Sequence, residues 1–264
     1  MADAPRRADI REVVDPQAPV RRSPSPDAPL DTEALKGERV FIEETSQEGW
    51  CRGKLEADGY VGWLPTNALG PPGPPATHKV AVPRTLVFPG PSIKLPPLEG
   101  LSLGCRLAIS RVEEPFAVTH SGGYVPDRHL ARLDAFASDP VAVAEEFLHV
   151  PYLWGGKTAL GLDCSALVQI ALTACGVPCP RDSNMQEAAL GIALSPTSAL
   201  AELRRGDLLF WKGHVAIVRD PGTLIHANAF HMAVAIEPIG EALARIKAAG
   251  SKLSSVRRVG AAAP

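Results

Sequence analysis

Cys164 is the residue whose surroundings most clearly indicate chemistry. It follows Asp163, whose carboxylate can cap the helix that Cys164 begins. Free backbone N–H groups in the first turn of a helix favour an anion, so we expect the pKa of this thiol to fall below the ordinary value of about 8.5. A thiol of this kind is a nucleophile, although the residue type alone is equally compatible with a small buried side chain. The other four cysteines lack this setting: Cys51, Cys105, Cys175 and Cys179.

Two histidines offer the base that a cysteine nucleophile needs. His214 begins the predicted strand HVAIV, and His226 lies in the returning strand TLIHAN. If the turn between them is centred on Asp220, the two histidines face each other directly, with Cβ atoms about 4.5–5.5 Å apart. One imidazole can then take the thiol proton while the other holds its ring in place. The remaining histidines are interpreted as structural: His78, His120, His129, His149 and His231.

The elements that must position these residues form an α+β domain. Asp139-Pro140 is a capping residue followed by proline at the first helical position. An apolar helix is predicted from Cys164 to Ala174, with Gly176 just beyond its end. Helices that precede a group of antiparallel strands are typical of an α+β fold. Further helices are predicted at 140–150 and 240–250, and strands at 206–211, 214–218 and 223–228.

The sequence before Asp139 predicts two small antiparallel barrels. ERVFIEE, GWCRGKL and YVGWL are short strand candidates separated by glycine and polar residues. Trp63-Leu64-Pro65 and Tyr124-Val125-Pro126 each precede three residues and a leucine, which indicates an internal repeat. On this pattern both units resemble bacterial SH3-like domains. The predicted boundaries are a proline-rich extended or disordered arm at 1–28, the first barrel at 29–70, a Pro/Gly linker at 71–77, the second barrel at 78–135 and the catalytic domain at 138–264.

Four segments carry a resemblance to a known family. In chain order they are PYLWGGKTALGLDCSALVQ, PRDSNMQ, LRRGDLLFWKGHVAIV and LIHAN, and they resemble the NlpC/P60 cysteine peptidases. The resemblance implies a papain-like fold with Cys164 as nucleophile, His214 as base and His226 as the residue that orients it. Ala166 and Ala216 stand where the family usually has glycine, and both are small enough to keep activity.

The two SH3-like units narrow the resemblance to the cytoplasmic branch of the family, which hydrolyses the γ-D-glutamyl–diamino acid bond of freed wall peptides in cell-wall recycling. The resemblance implies a substrate with a free N-terminal L-Ala, whose ammonium is held by an acidic group and a tyrosine. Glu38, with Glu44 as the alternative, is the candidate acid from the first barrel, and Tyr60 is the tyrosine. Tyr60 could also be an ordinary barrel aromatic, and Asp182 an ordinary helix cap. The other substrate-binding candidates are Tyr152, Asp163, Ser165, Asp182 and Ser183.

Composition limits the possible partners and location. The chain has 27 Lys plus Arg against 29 Asp plus Glu, and this net charge of −2 argues against a general nucleic-acid binder. The absence of a long apolar run argues against a membrane partner. No apolar stretch follows Arg6 and Arg7, so we expect a cytoplasmic protein with reduced thiols. The spacing Cys175-x3-Cys179 has no matching second pair, so we expect neither a metal nor another cofactor.

Three other functions stay open at the level of the sequence. An exported hydrolase acting on polymeric peptidoglycan would need a secretion route. A non-catalytic protein that binds wall peptides would not need the Cys164, His214 and His226 set. An acyltransferase on a related papain-like scaffold would pass the acyl group to an amine or lipid in preference to water. The murein peptide is the expected partner in the favoured interpretation.

Overall fold

The fold is described from a computed structural model, which covers residues 9–195 and 200–260 here. The chain divides into two compact units, at residues 1–133 and 134–264. Within the described residues, none of the helices has the length and apolar character needed to cross a membrane.

The first half of unit 1 is a seven-stranded antiparallel barrel. Its strand order is β3-β2-β6-β5-β4-β1-β7. Small aliphatic side chains alternate along these strands and fill the interior, with Val13, Val20, Val40 and Leu64 fully buried. The strands are β1 (Asp9–Val13), β2 (Gln17–Arg21), β3 (Leu30–Leu35), β4 (Arg39–Thr45), β5 (Trp50–Leu55), β6 (Val61–Pro65) and β7 (Leu69–Gly70).

The prediction of an arm at residues 1–28 is wrong for residues 9–28. Strand β1 pairs with β4 and β7, and strand β2 pairs with β3 and β6, so both belong to the first barrel. Val13, Ala18 and Val20 are fully buried although their surroundings are rich in proline and charge. Alternating small apolar residues suffice for a strand when the rest of a barrel covers them, and overall composition hides this pattern. The first eight residues of the predicted arm lie outside the described residues.

The second half of unit 1 consists of three small antiparallel sheets around its own core. Their strand orders are β10-β9, β11-β8-β15 and β12-β13-β14. Val80, Leu101 and Val125 form the centre of the core, which Leu35 of the first barrel also joins. The strands are β8 (His78–Val80), β9 (Arg84–Val87), β10 (Glu99–Ser102), β11 (Arg106–Leu107), β12 (Ile109–Glu113), β13 (Phe116–Thr119), β14 (Tyr124–Pro126) and β15 (Leu130–Arg132).

The two halves of unit 1 end in the same way and touch closely. Strand β6 runs into a single turn of 3-10 helix at Thr66–Ala68 and then β7, while β14 runs into a 3-10 turn at Asp127–His129 and then β15. This is the repeat that the two Pro-containing motifs indicated. Gly37, with a φ of +81°, lies where the halves meet, and a Cβ there would be 2.3 Å from the carbonyl oxygen of Arg106. Only glycine allows this approach.

Unit 2 is an α+β domain built on a six-stranded antiparallel sheet. The strand order is β18-β23-β19-β20-β21-β22, with a separate β16-β17 hairpin. The strands are β16 (Lys157–Thr158), β17 (Gly161–Leu162), β18 (Ile192–Leu194), β19 (Leu208–Trp211), β20 (His214–Asp220), β21 (Thr223–Asn228), β22 (Ala233–Pro238) and β23 (Leu253–Arg258). The helices are α1 (Pro140–Glu145), α2 (Cys164–Ala174), α3 (Ser183–Ala189) and α4 (Ile239–Ala248).

One face of the unit 2 sheet packs against helix α4, and the two strands that carry the histidines contribute to this core. Ala216, Val218 and Leu224 pack with Ile239 and Ala242 of α4 in one buried cluster. Because side chains on a strand alternate between faces, His214 and His226 lie on the same face as these core residues. Helix α2, which carries Cys164, contacts both β20 and β21.

Candidate active site

Cys164 lies at the first position of helix α2, as the sequence predicts. Asp163 is the residue that caps this helix, and its side chain accepts a hydrogen bond of 2.8 Å from the backbone N–H of Ala166. Backbone N–H groups of Val215 and Ser165 lie near the thiol and lower its pKa. Since Val215 follows His214 directly in β20, this proximity places the sulfur beside the start of the histidine strand. The backbone N–H of Cys164 belongs to the first turn of α2, where N–H groups have no acceptor within the helix and can bind an oxyanion.

The carboxylate of Asp163 is held by a buried polar network. Both of its oxygens accept hydrogen bonds from the guanidinium of Arg181, at 2.9 and 2.7 Å. Ser165 donates to the same carboxylate at 3.1 Å and accepts from Arg181 at 2.8 Å. A further hydrogen bond of 2.9 Å comes from the backbone N–H of Gly155. Arg181 is 1% exposed, so this two-pronged ion pair is enclosed and fixes the start of α2.

The prediction of a lowered thiol pKa at Cys164 is wrong for this state of the protein. Burial raises its pKa to about 12, and the negative charge of Asp163 adds to the rise. The backbone hydrogen bonds and the charge of Arg181 lower it, but by less. Cys164 is only 7% exposed, and desolvation of the anion therefore outweighs the helix terminus. At neutral pH this thiol is protonated, so it would act as a nucleophile only after it passed its proton to a base.

His214 and His226 form a hydrogen-bonded pair. The Nε2 atom of His214 lies 2.9 Å from the Nδ1 atom of His226. The predicted direct opposition is wrong, however: Ile217 faces Ile225, so His226 stands opposite Ala216. The register along the strands differs from the predicted one by two residues, and the irregularity between Val218 and Asp220 changes it by one. A shift of two keeps every side chain on its face, so the imidazoles still meet along the diagonal.

Both imidazoles are neutral near pH 7. Burial lowers the pKa of His214 to about 4, with a smaller contribution from the positive charge of Arg245. Burial also lowers the pKa of His226 strongly, and a charge on His214 would lower it further. A neutral His214 can accept the thiol proton. Its Nε2 atom contacts His226, so the Nδ1 atom is the one left for the sulfur.

A cluster beyond the histidine pair was missed by sequence reasoning. Glu237, on β22, is buried and pairs with Arg245 of α4 at 2.5 Å. Its carboxylate also lies 3.8 Å from Nε2 of His226 and 3.5 Å from Nε2 of His231. His231, assigned only a structural role from the sequence, is fixed through its Nδ1 atom by Asn228 at 3.0 Å. The signal in the sequence was Glu237 in the otherwise apolar strand AVAIEP, which alternation places on the face of His226.

This cluster contains the donor set that a metal would use. Ligand atoms of His226, His231 and Glu237 lie within 4.8 Å of one another. The guanidinium of Arg245 already neutralises the carboxylate, and a second cation beside it would be repelled. We therefore interpret these residues as a hydrogen-bonding and ion-pair cluster. None of the five cysteines, all of them in the described part of the chain, forms a disulfide, so Cys175 and Cys179 are not joined to each other.

The other candidates in unit 2 differ in their surroundings. Tyr152 is half-buried, and burial raises the pKa of its hydroxyl. A charge on Cys164 or Asp163 raises this pKa further, because both residues lie near the tyrosine. Asp182 stands before α3 but makes no capping hydrogen bond with its side chain, and its charge acts on Arg181. Ser183 begins α3. Of the candidate contacts, the polar atoms of Asp163 and Ser165 are bonded to protein groups. Roles toward substrate remain predictions for all of them.

The two candidates in unit 1 are parts of the first barrel. Tyr60 is half-buried and packs against the barrel core. Glu38 is 6% exposed, and its carboxylate accepts a hydrogen bond of 2.8 Å from the backbone N–H of Leu35, which closes the turn between β3 and β4. Glu44, the alternative acid, is exposed on β4. Their contact with a substrate amine remains a prediction.

Comparison with known proteins identifies two domains in the chain. Residues 20–69 match the bacterial dipeptidyl-peptidase Sh3 domain, and residues 149–248 match the NlpC/P60 family. The first match includes part of β2 and all of β3, in agreement with the barrel described above. The second match spans Cys164, His214 and His226.

Two relatives of known name are similar over most of the chain, and a third is similar over part of it. The gamma-D-glutamyl-L-lysine dipeptidyl-peptidase of Bacillus cereus is 25% identical over 242 residues, which are 80% of this chain and 71% of that protein. The protein of the same name from Bacillus subtilis is 28% identical over 224 residues, or 75% of this chain and 72% of that one. Dipeptidyl-peptidase 6 of Lysinibacillus sphaericus is 35% identical over 100 residues, which are 38% of this chain and 35% of that protein.

A solved structure shares the fold. The crystal structure of an NlpC/P60 family protein from Bacillus cereus superposes with a TM-score of 0.78 at 20% identity, and the match covers 95% of this chain and 99% of that one. The expected fold class, a papain-like α+β domain preceded by SH3-like barrels, is confirmed. A cysteine at the start of α2, a histidine pair on the adjoining strands and both family matches in order show that residues 149–248 form an NlpC/P60 domain, with a bacterial SH3 domain before it at residues 20–69.

Proposed function

We propose that this protein is a cysteine peptidase that hydrolyses the γ-D-glutamyl–diamino acid bond of freed peptidoglycan stem peptides. The observation that carries the proposal is the placement of the Cys164 thiol, at the start of α2 and beside the strand that begins with His214. The 2.9 Å contact between His214 and His226 supplies the orienting partner. The names of the relatives from Bacillus cereus and Bacillus subtilis indicate which bond we propose that this site hydrolyses.

The first half of the reaction forms an acyl-enzyme. His214 removes the proton from the Cys164 thiol, and the sulfur attacks the γ-carbonyl carbon of D-Glu. The backbone N–H of Cys164 donates a hydrogen bond to the oxyanion that develops. The carbon–nitrogen bond then breaks as His214 gives its proton to the α-amine of the diamino acid, leaving a thioester on Cys164.

The second half releases the acyl group. His214 takes a proton from water, the resulting hydroxide attacks the thioester carbon, and the γ-carboxylate of D-Glu leaves as the sulfur recovers its proton. His226 holds the His214 ring in the orientation that both halves need. The reaction is balanced by one water molecule for each bond broken.

The substrate is proposed to carry a free N-terminal L-Ala. Asp182 is the candidate counter-ion in unit 2, because it is a partly exposed carboxylate directly before α3. A requirement for a free amine fits peptides already released from the wall, and this is the basis for proposing a cytoplasmic role in recycling. The names of the relatives specify L-lysine as the third residue, while meso-diaminopimelate is the alternative to be tested beside it.

The test is mass spectrometry of products from L-Ala-γ-D-Glu-L-Lys, L-Ala-γ-D-Glu-meso-diaminopimelate and N-acetylated copies of both. Release of L-Ala-D-Glu from the free peptides alone supports both the bond and the amine requirement. Equal cleavage of the acetylated copies supports a peptidase without an amine requirement and favours polymeric peptidoglycan as substrate. No cleavage of any peptide by folded protein would reject the proposed reaction.

A further inference from the structure

One fully buried nitrogen of the histidine pair has no hydrogen-bond partner among the described residues. It is Nε2 of His226, a side chain that is 1% exposed. The atom is turned toward Oε1 of Glu237 at 3.8 Å, which is too long for a direct hydrogen bond. A buried polar atom left in this way costs free energy, and such atoms in a site call for an explanation.

The chemistry of His214 determines where the proton of His226 must be. When His214 carries the thiol proton, both of its nitrogens are protonated, and Nε2–H must donate to Nδ1 of His226. A neutral His226 then has its own proton on Nε2, the buried atom that faces Glu237. If His226 carried its proton on Nδ1 instead, it would donate that proton to Nε2 of His214. A neutral His214 would then carry its own proton on its Nδ1 atom, and this atom could no longer accept the thiol proton.

The surroundings of Glu237 fix its carboxylate in this position. Arg245 of α4 pairs with Oε1 at 2.5 Å and lies over the ring of Phe230, 4.4 Å from its centre. His231 faces Oε2 at 3.5 Å and is itself held by Asn228. The groups that face His226 are therefore His214 on β20, His231 in the turn after β21, Glu237 on β22 and Arg245 on α4. Glu237 is the one anion in this set.

We propose that Glu237 is a positioning residue that holds the proton of His226 on Nε2 and so keeps Nδ1 as the acceptor for His214. The inference rests on the proposed roles of His214 and His226. A carboxylate favours a nearby N–H over a nearby lone pair, and this preference is strong in a buried site. Glu237 also compensates the charge of Arg245, which otherwise opposes the transient positive charge on His214.

The matched variants separate this role from the ion pair itself. Glu237→Gln keeps the shape and removes the charge, whereas Glu237→Asp keeps the charge. Arg245→Met removes the partner of Glu237 and leaves the carboxylate. Glu241→Gln, which removes an exposed carboxylate in the first turn of α4, controls for a general loss of charge. Circular dichroism and thermal unfolding establish that each variant is folded.

Two readouts do not depend on the substrate. Nitrogen-15 NMR of labelled histidines reports which nitrogen of His226 carries the proton, and the rate of Cys164 alkylation by iodoacetamide from pH 5 to pH 9 reports proton transfer to His214. We expect the Nε2–H form in the wild type, in Glu237→Asp and in Arg245→Met. In Glu237→Gln we expect the Nδ1–H form to appear and the alkylation rate at neutral pH to fall about 10-fold or more, as when outer partners of a functional imidazole are removed.

Several results would overturn the proposal. An Nδ1–H form of His226 in the wild type would do so without any variant. The proposal would also fail if Glu237→Gln kept the wild-type tautomer and alkylation profile. It would fail as well if Arg245→Met lowered the alkylation rate as much as Glu237→Gln does. If Glu237→Gln does not fold, the wild type, Glu237→Asp and Arg245→Met still decide the matter. Failure of peptide cleavage with these NMR and alkylation results intact would reject the proposed substrate and leave the role of Glu237 standing.

Discussion

At the scale of residues, burial decides the proton states of the proposed nucleophile and base. The pKa of Cys164 is raised to about 12 and that of His214 is lowered to about 4, so both are neutral between these values. Since a protonated His214 cannot accept the thiol proton, we expect kcat/KM to be nearly flat around neutral pH and to fall as the pH approaches 4. Thiolate ultraviolet absorbance, measured against Cys164→Ala, should be absent at pH 7. A strong thiolate signal there would mean that the resting site holds an ion pair instead.

The proposed roles of the three residues predict unequal losses. Cys164→Ala and His214→Ala should each lower kcat by about 1,000-fold or more, because they remove the nucleophile and the base. His226→Ala should cost less, about 10- to 100-fold, because the ring it orients is still present. Steady-state kinetics on the free tripeptides measure these losses. His120→Ala, at an exposed position of unit 1, is the control, and near-normal turnover by Cys164→Ala would contradict the assignment.

At the scale of elements, the start of helix α2 depends on the Asp163–Arg181 pair. Arg181→Met leaves a buried carboxylate without its cation, so we expect the free energy of unfolding of the NlpC/P60 domain to fall by about 3–5 kcal/mol. The double variant Asp163→Asn with Arg181→Met should regain part of that loss. Urea denaturation measures both changes.

The control for this experiment is an exposed ion pair in the same domain. Arg205 pairs with Asp139 at 2.8 Å on the surface, and Arg205→Met should cost about 1 kcal/mol or less. Equal losses from Arg181→Met and Arg205→Met would show that the buried pair does not hold the helix start.

The β20–β21 hairpin shows what the sequence can and cannot predict at this scale. Turn residues around Asp220 and alternating apolar residues predict the hairpin and the shared face of His214 and His226. The observed register differs from the predicted one by two residues, and the irregularity after Val218 changes it by one. Nothing local in RDPG distinguishes the predicted register from the observed one. Glu237 was missed because its partners, His226 and Arg245, come from two other elements. Helix α2 and its cap were predictable because both depend on adjacent residues.

At the scale of the whole molecule, residues 9–21 belong to the barrel of the SH3 domain. Val20 is fully buried on β2, so Val20→Asp places a carboxylate in the barrel core and should cost more than about 4 kcal/mol. Arg11→Ser, on the exposed side of β1, should be nearly neutral. Hydrogen exchange of the amides in β3 to β6 measures the effect. Unchanged protection in Val20→Asp would show that this segment is not needed for the barrel.

The error in the N-terminal boundary has a physical origin. Prolines and charges are poor signals of a core, but a barrel needs only one inward residue in two, and Ala18 and Val20 satisfy that need beside Pro19. The order of the domains, the linker segment and the repeat of strand, 3-10 turn and strand were visible because each has a local pattern. Pairing of β1 with β4 and β7 joins segments far apart in the chain, and such pairings are not encoded locally.

The enclosed, protonated thiol of Cys164 also bears on chemical durability. Peroxides oxidise thiolates far faster than thiols, and the first product, a sulfenic acid, proceeds to irreversible forms when no second cysteine rescues it. In the proposed reaction Cys164 becomes anionic only when it passes its proton to His214, so it presents little target for peroxide between turnovers. The burial that opposes ionisation is thus also a shield against oxidative damage, and the enzyme should lose activity to peroxide more slowly than thiol peptidases that rest as thiolates.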